Sequence, residues 1–333
     1  MMYDPFIITV FAVFSFAFGA LIGSFLNVVI WRVPRGESIV SPPSHCPKCN
    51  TPIKWWCNIP ILSWIALRGK CAKCKEPISF RYVLVELLCA ALFLCAFWRY
   101  GYFAPLAWVW IALMIIGTFI DFDHQLLPDF VTEGGMIYGV TVSVSFWALD
   151  SFTGVKLVNI TPEFFKIHPV DSLTGLVFGF GLLWLVRFFG TVAFKREAMG
   201  LGDVFLMGAI GAIFGWKAVM VTLILSSLFG SVVGVAMIAL SKTRLGGFTA
   251  IPFGPYLCAG CLAWMFFGQT AFWRQAEGKN QEPCCRHRCA YPQCHPDTPY
   301  PAHVPGRGEG YEHYQLATSG TLPGADLRCG KQQ

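Results

Sequence analysis

The chain has 333 residues, 55% of them hydrophobic and only 13% charged, with a formal net charge of +6. Soluble domains carry about 25% charged residues, so this composition excludes an ordinary soluble enzyme. It makes the bilayer the expected solvent and membrane lipid an expected partner, with no nucleic-acid partner. Fourteen cysteines fall into three groups: four in two CxxC pairs, five standing singly in the apolar part, and five in the last fifty residues.

The first apolar run, 6–31, is longer than the apolar core of a secretory signal, and it lacks a basic start and an A-x-A cleavage site. It reads as a membrane span. Further apolar runs follow at 83–99, 104–121, 131–149, 172–193, 202–216, 218–240 and 250–268. The expected fold is therefore an all-α polytopic membrane protein of about eight transmembrane helices with a small cytoplasmic zinc-binding loop domain. Its parts are a first span at 1–31, the loop at 32–82, a transmembrane core at 83–268 and a tail at 269–333. The run at 202–216 is short, which tilt or surrounding helices accommodate.

Lys and Arg set the orientation. The loop 32–82 holds nine of them, and with it inside, Lys195, Arg196, Lys242 and Arg244 also fall inside. Arg99, Lys156, Lys166 and Lys217 remain outside, so thirteen stand against four. This places the loop in the cytoplasm and both chain ends outside. Beyond about 272 the chain turns rich in Pro, Gly, His and Cys without apolar periodicity, a composition that buries no core. It reads as a disordered tail or as the product of a frameshift.

The loop carries CPKC at 46–49 and CAKC at 71–74. Two such knuckles supply four thiolates, the donor set of a tetrahedral structural Zn²⁺. Cys46, Cys49, Cys71 and Cys74 are the expected ligands, with nearby Lys and Arg favouring the thiolates. The alternative is two reduced or redox-active pairs without metal.

Acidic groups in the apolar part ask for a reason, since each costs about 2.5–3.5 kcal/mol to insert. GTFIDFDHQLLPD at 117–129 brings Asp121, Asp123 and Asp129 to the end of the third apolar run, where Pro128 forces a break in the helix. GLGD at 200–203 brings Asp203 to the start of a later run. By the topology above, both lie at the cytoplasmic face at similar depth. Gly200 and Gly202 permit close approach of helix or substrate. The plain alternative makes Asp203 a helix N-cap. Two carboxylates sharing a site divide labour, the ionised one activating water and the protonated one polarising a peptide carbonyl, which is aspartic proteolysis. His124 is a weaker rival as base. The competing class is a transporter, which would show repeats or corresponding broken helices; none is visible between the halves. A zinc-knuckle membrane scaffold would leave the aspartates unexplained.

Several ordered segments together resemble the type 4 prepilin peptidases, the G-x-G-D membrane aspartic peptidases of type IV pilus and type II secretion systems. They are GSFLNVVIWRVPR at 23–35, both CxxC pairs, NIPILSWIALRGKC at 58–71, ISFRYVLVE at 78–86, IDFDHQLLPD at 120–129, GLGD at 200–203 and IPFGPYL at 251–257. The resemblance implies that Asp121 and Asp203 are the catalytic pair. It implies cleavage of a short basic leader from prepilins or pseudopilins, after a Gly, at the cytoplasmic face of the bacterial inner membrane. In many members N-methylation of the new amino terminus from S-adenosylmethionine follows. No glycine-rich strand–turn–helix unit marks the methyl-donor site. Two features depart from the family pattern: Cys57 before NIP, and the tail beyond about Trp273. The loop is itself basic, so Glu86, Asp123 and Asp129 are the expected contacts for a basic leader.

Overall fold

The computed structural model describes residues 4–153, 168–195, 199–240 and 252–268. The tail 269–333 with its five cysteines, and the orienting charges Lys156, Lys166, Arg196, Lys242 and Arg244, lie outside the described residues. The helices are α1 (Pro5–Arg32), α2 (Leu62–Ala66), α3 (Phe80–Tyr100), α4 (Ala104–His124), α5 (Asp129–Thr153), α6 (Pro169–Phe194), α7 (Leu201–Phe214), α8 (Trp216–Leu240) and α9 (Gly254–Ala263). A π turn, Trp264–Gly268, extends α9. Each expected apolar segment carries a helix. Four stretches are long and apolar enough to cross a membrane: Pro5–Arg35, Phe80–His124, Pro169–Ala193 and Trp216–Met237. The second of these contains both α3 and α4. Among the described residues no β-strand forms; two isolated bridges, His45 with Pro52 and Lys70 with Pro77, lie in the loop.

Local chemistry sets the helix starts. Asp4 caps α1, its carboxylate accepting from Phe6 N–H at 2.9 Å, and Ser79 caps α3 by accepting from Arg81 N–H at 3.3 Å. Proline occupies the first turn of α1, α4, α6 and α9, where its missing N–H has no partner to lose.

Helices α1, α3 and α4 pack together. Their contact centres on Phe93 and Trp108, stacked with centroids 5.2 Å apart, with Phe18 against both. The Trp108 indole N–H donates to the Phe93 carbonyl at 2.9 Å, so no polar atom of the ring is left bare in the apolar interior.

The short helix α7 packs against α5, α6, α8 and α9. From Asp203 to Phe214 every residue but Phe205 is buried. A helix apolar on all sides belongs inside the protein, and its central place explains how so short a run is accommodated. Its crossing with α6 brings the two backbones into contact. A Cβ at Gly211 would fall on the Gly175 carbonyl, and one at Gly175 on the Gly211 carbonyl. Ser172 Oγ donates to the Ala212 carbonyl at 2.7 Å across the same crossing. Close approach through small residues, with a hydroxyl bond beside it, is how helices associate where lipid removes the hydrophobic drive.

Candidate active site

Asp121 occupies the last turn of α4. The helix stops at His124, where Gln125 adopts a left-handed conformation (φ 52°) and its N–H closes onto the Asp121 carbonyl at 2.9 Å. The Asp121 side chain turns inward and is only 6% exposed. Its Oδ2 is buried with no hydrogen-bond partner among the described residues. It abuts the first residue of α9: a Cβ added to Gly254 would lie 2.6 Å from that oxygen. The carboxyl thus sits at a helix N-terminus, where the dipole favours negative charge.

Asp203 arrives from α7. Gly200, extended at φ −64° and ψ 148°, is the N-cap, and Asp203 is the third residue of the helix. The alternative of Asp203 as the cap itself is thereby corrected: the cap position belongs to Gly200, and Asp203 lies within the first turn of the helix. It is 8% exposed. Leu127 links the two segments. A Cβ on Gly202 would come 2.9 Å from Leu127 Cβ, and one on Gly254 3.4 Å from Leu127 Cδ1. Asp121, beside Gly254, and Asp203, next to Gly202, are thus brought to one neighbourhood around Leu127. Three elements distant in sequence therefore enclose one polar spot: the end of α4, the start of α7 and the start of α9.

The four loop cysteines also converge. Their sulfurs all lie within 4.8 Å of one another, and Cys46 and Cys74 Sγ are 3.7 Å apart. Sulfurs held about 2.3 Å from one tetrahedral Zn²⁺ lie about 3.8 Å apart, so the donor set and its spacing fit the metal. The two halves repeat the pattern C-x-K-C-x-x-P. In the first, Cys46 N–H bonds the Thr51 carbonyl at 3.0 Å; in the second, Cys71 N–H bonds the Glu76 carbonyl at 2.8 Å. Asn50 and Lys75 take matching left-handed conformations. The Thr51 hydroxyl, then its backbone N–H, pulls the Cys49 thiol down to about 6. The backbone N–H groups of Cys74 and Lys73 lower Cys71. Although the Glu76 N–H favours its thiolate, partial desolvation and the three neighbouring sulfurs push Cys74 up to about 12. Sulfurs this close ionise together only around a cation.

Residues 17–100 match the bacterial peptidase A24 N-terminal domain, and residues 108–235 match the type IV leader peptidase family. The prepilin leader peptidase/N-methyltransferase of Pseudomonas putida is 36% identical over 274 residues, covering 74% of this chain and 87% of that protein. The one from Stutzerimonas stutzeri is 36% identical over 287 residues, covering 78% and 92%. The chain belongs to the type IV leader peptidase family. A Myxococcus xanthus member is 40% identical over 238 residues, 71% of this chain and 65% of its own length. No solved structure matches.

For a type IV leader peptidase, the remaining acids are distributed unexpectedly. Glu86 does not face a leader: it is 9% exposed and accepts from the Ile61 backbone N–H at 2.7 Å, so it fixes the loop to α3. The expectation of Glu86 as a leader contact is corrected: its carboxylate already holds a backbone partner, of which ISFRYVLVE gives no sign. Asp123 is held by Arg81, with Nη1–Oδ1 at 2.8 Å and Nη2–Oδ2 at 2.6 Å. Asp129 stays exposed in the first turn of α5. His124 is exposed beside Asp123. Sequence reasoning missed Gly254 and Leu127. Their signals were the Phe-Gly-Pro that opens α9 and the Leu-Pro after α4.

Proposed function

We propose that this type IV leader peptidase cuts prepilins and pseudopilins with Asp121 and Asp203 as its catalytic pair. The observation that carries the reading is that two buried carboxyls, from α4 and α7, come to the same Leu127 neighbourhood, with the Gly254 backbone against Asp121. The ionised carboxylate takes a proton from water as the water oxygen attacks the scissile carbonyl carbon. The protonated partner gives its proton to the carbonyl oxygen. On collapse of the tetrahedral intermediate the C–N bond breaks, the proton held by the first carboxyl passes to the departing amine, and one hydroxyl returns its proton to the second carboxylate as the carbonyl re-forms. Burial keeps bulk water out, which strengthens each of these interactions.

The wider reading is a multi-pass protein of the bacterial inner membrane, about eight spans in all, with the loop and the aspartates at the cytoplasmic face. A prepilin lodged in the bilayer by its hydrophobic helix brings its scissile bond to that depth. Asp129 is the exposed acid nearest in sequence to Asp121 that has no ion-pair partner among the described residues, and it is assigned to the basic leader. Cys46, Cys49, Cys71 and Cys74 would hold a structural Zn²⁺, which supplies folding energy to the loop. After cleavage the new amino terminus is methylated from S-adenosylmethionine.

The test is mass analysis of a prepilin incubated with purified protein and S-adenosylmethionine. Leader loss is expected with the unsubstituted chain and is abolished by Asp121→Asn and by Asp203→Asn. Substantial leader removal by folded Asp203→Asn would overturn the assignment.

A further inference from the structure

The cytoplasmic loop holds more apolar surface than its own fold uses. Between residues 36 and 80 only Cys46 and Gly69 are buried. The cysteine cluster takes the place of a hydrophobic core there. Trp64 is the exception that packs inward, its indole N–H bonding the Ile78 carbonyl at 3.2 Å and its ring set edge-on to Phe80. Other large apolar side chains face out: Val40 is 85% exposed, Trp55 77%, Leu62 65%, Ile65 60% and Trp56 50%. Leu62 and Ile65 are three residues apart on α2, hence on one face of that helix. An exposed apolar set of this kind marks an interaction surface.

Its charge identifies the partner. Residues 32–82 contain nine Lys or Arg and two acids, Glu37 and Glu76. Glu76 pairs with Lys48 at 3.6 Å, while Lys54, Lys70, Lys73 and Lys75 have no ion pair among the described residues. Lys54 stands over the Trp56 ring, 5.0 Å from its centroid, and Arg35 over Trp31 at 3.7 Å. Exposed Trp beside Lys and Arg is the composition of a membrane–water interface, where indole sits at headgroup level and each cation gains from anionic lipid. A basic prepilin leader would be repelled by this surface. The loop is also tied at both ends to apolar helices, α1 ending at Arg32 and α3 beginning at Phe80.

We infer that the zinc-loop domain docks on the anionic headgroup surface bordering its own helices, with Trp55, Trp56, Leu62 and Ile65 inserted and the lysines against lipid phosphates. The inference rests on α1 and α3 being embedded in a bilayer and is independent of the peptidase chemistry.

The experiment places the full chain in lipid nanodiscs of phosphatidylcholine alone or with phosphatidylglycerol added. Hydrogen–deuterium exchange is followed over 53–66. A second sample carries photoreactive benzoylphenylalanine in place of Leu62, which is 65% exposed. Phosphatidylglycerol is expected to slow exchange at 53–66 about tenfold, and illumination is expected to give a lipid adduct. Trp55→Ser combined with Leu62→Ser is expected to remove the slowing while leaving the melting temperature unchanged. Equal exchange in the two kinds of disc overturns the inference. Adducts confined to a second copy of the chain or to an added prepilin overturn it as well. Both faces of a disc carry the same lipid, so the result does not depend on which side of a cell membrane the loop faces. Prepilin cleavage in the same discs reports the peptidase reading separately.

Discussion

Replacing Gly254 by Ala tests whether the wall behind Asp121 sets the position of its carboxyl. The new methyl carbon would lie 2.6 Å from Asp121 Oδ2, 3.1 Å from Cγ and 3.4 Å from Leu127 Cδ1. Gly254 begins α9 with no positive φ, so Ala itself is tolerated by the backbone. The carboxyl must therefore retreat. Reaching ordinary contact at about 3.4 Å requires a shift of roughly 0.8 Å, and a misplacement of about 1 Å costs on the order of 100-fold in rate. Turning a side chain off its rotamer costs only about 0.5–1.5 kcal/mol. Activity and stability should thus part company: prepilin cleavage by purified Gly254→Ala falls about 100-fold while the melting temperature falls by a few degrees at most. Gly134→Ala, with no atom within 4 Å of its added Cβ, serves as the control and keeps full activity. A folded Gly254→Ala that cleaves within about threefold of the parent would refute the reasoning, because the carboxyl would then not need the place the glycine leaves for it.

Asp123→Asn breaks an exposed ion pair with Arg81, which is worth no more than about 1 kcal/mol; cleavage measured beside Asp121→Asn should stay near the parent's. Cys71→Ser removes one of the four proposed ligands, and metal analysis of reduced protein should fall from about one Zn²⁺ per chain toward none. The same variant should lose methylation more than cleavage, since both aspartates lie on other segments. Gly211→Val drives a side chain into the Gly175 carbonyl, and thermal melting should register a loss of at least about 1–3 kcal/mol. Gly181→Ala, in open space on the same α6, should leave the melt unchanged.

The apolar runs were legible because a helix in lipid needs length and little else; their ends fell within a few residues of the observed caps. That Asp121 and Asp203 each lie beside a helix end was legible for the same reason. Their convergence was not. It depends on Gly254, some 130 residues beyond Asp121, and on Leu127 filling the space between three backbones, neither of which leaves a periodic trace. Glu86 shows the opposite failure. The basic loop suggested it as a contact for the leader, whereas its partner is the backbone N–H of Ile61, a residue at φ 62° whose unusual conformation nothing in ILSW announces. The cysteine cluster was the easiest part to read, because ligand spacing carries its own geometry.

The scatter of the site along the chain has a bearing on biosynthesis. The ribosome delivers Asp121 first, Asp203 later and the Gly254 wall last. At about 5–20 residues per second, the interval from Asp121 to Gly254 is on the order of ten seconds. Throughout that interval the growing chain carries first one carboxyl and then two without the α9 backbone that packs against Asp121. On the proposed assignment, a nascent chain stalled before residue 254 would hold both carboxyls without the Gly254 wall and would be inert toward a prepilin.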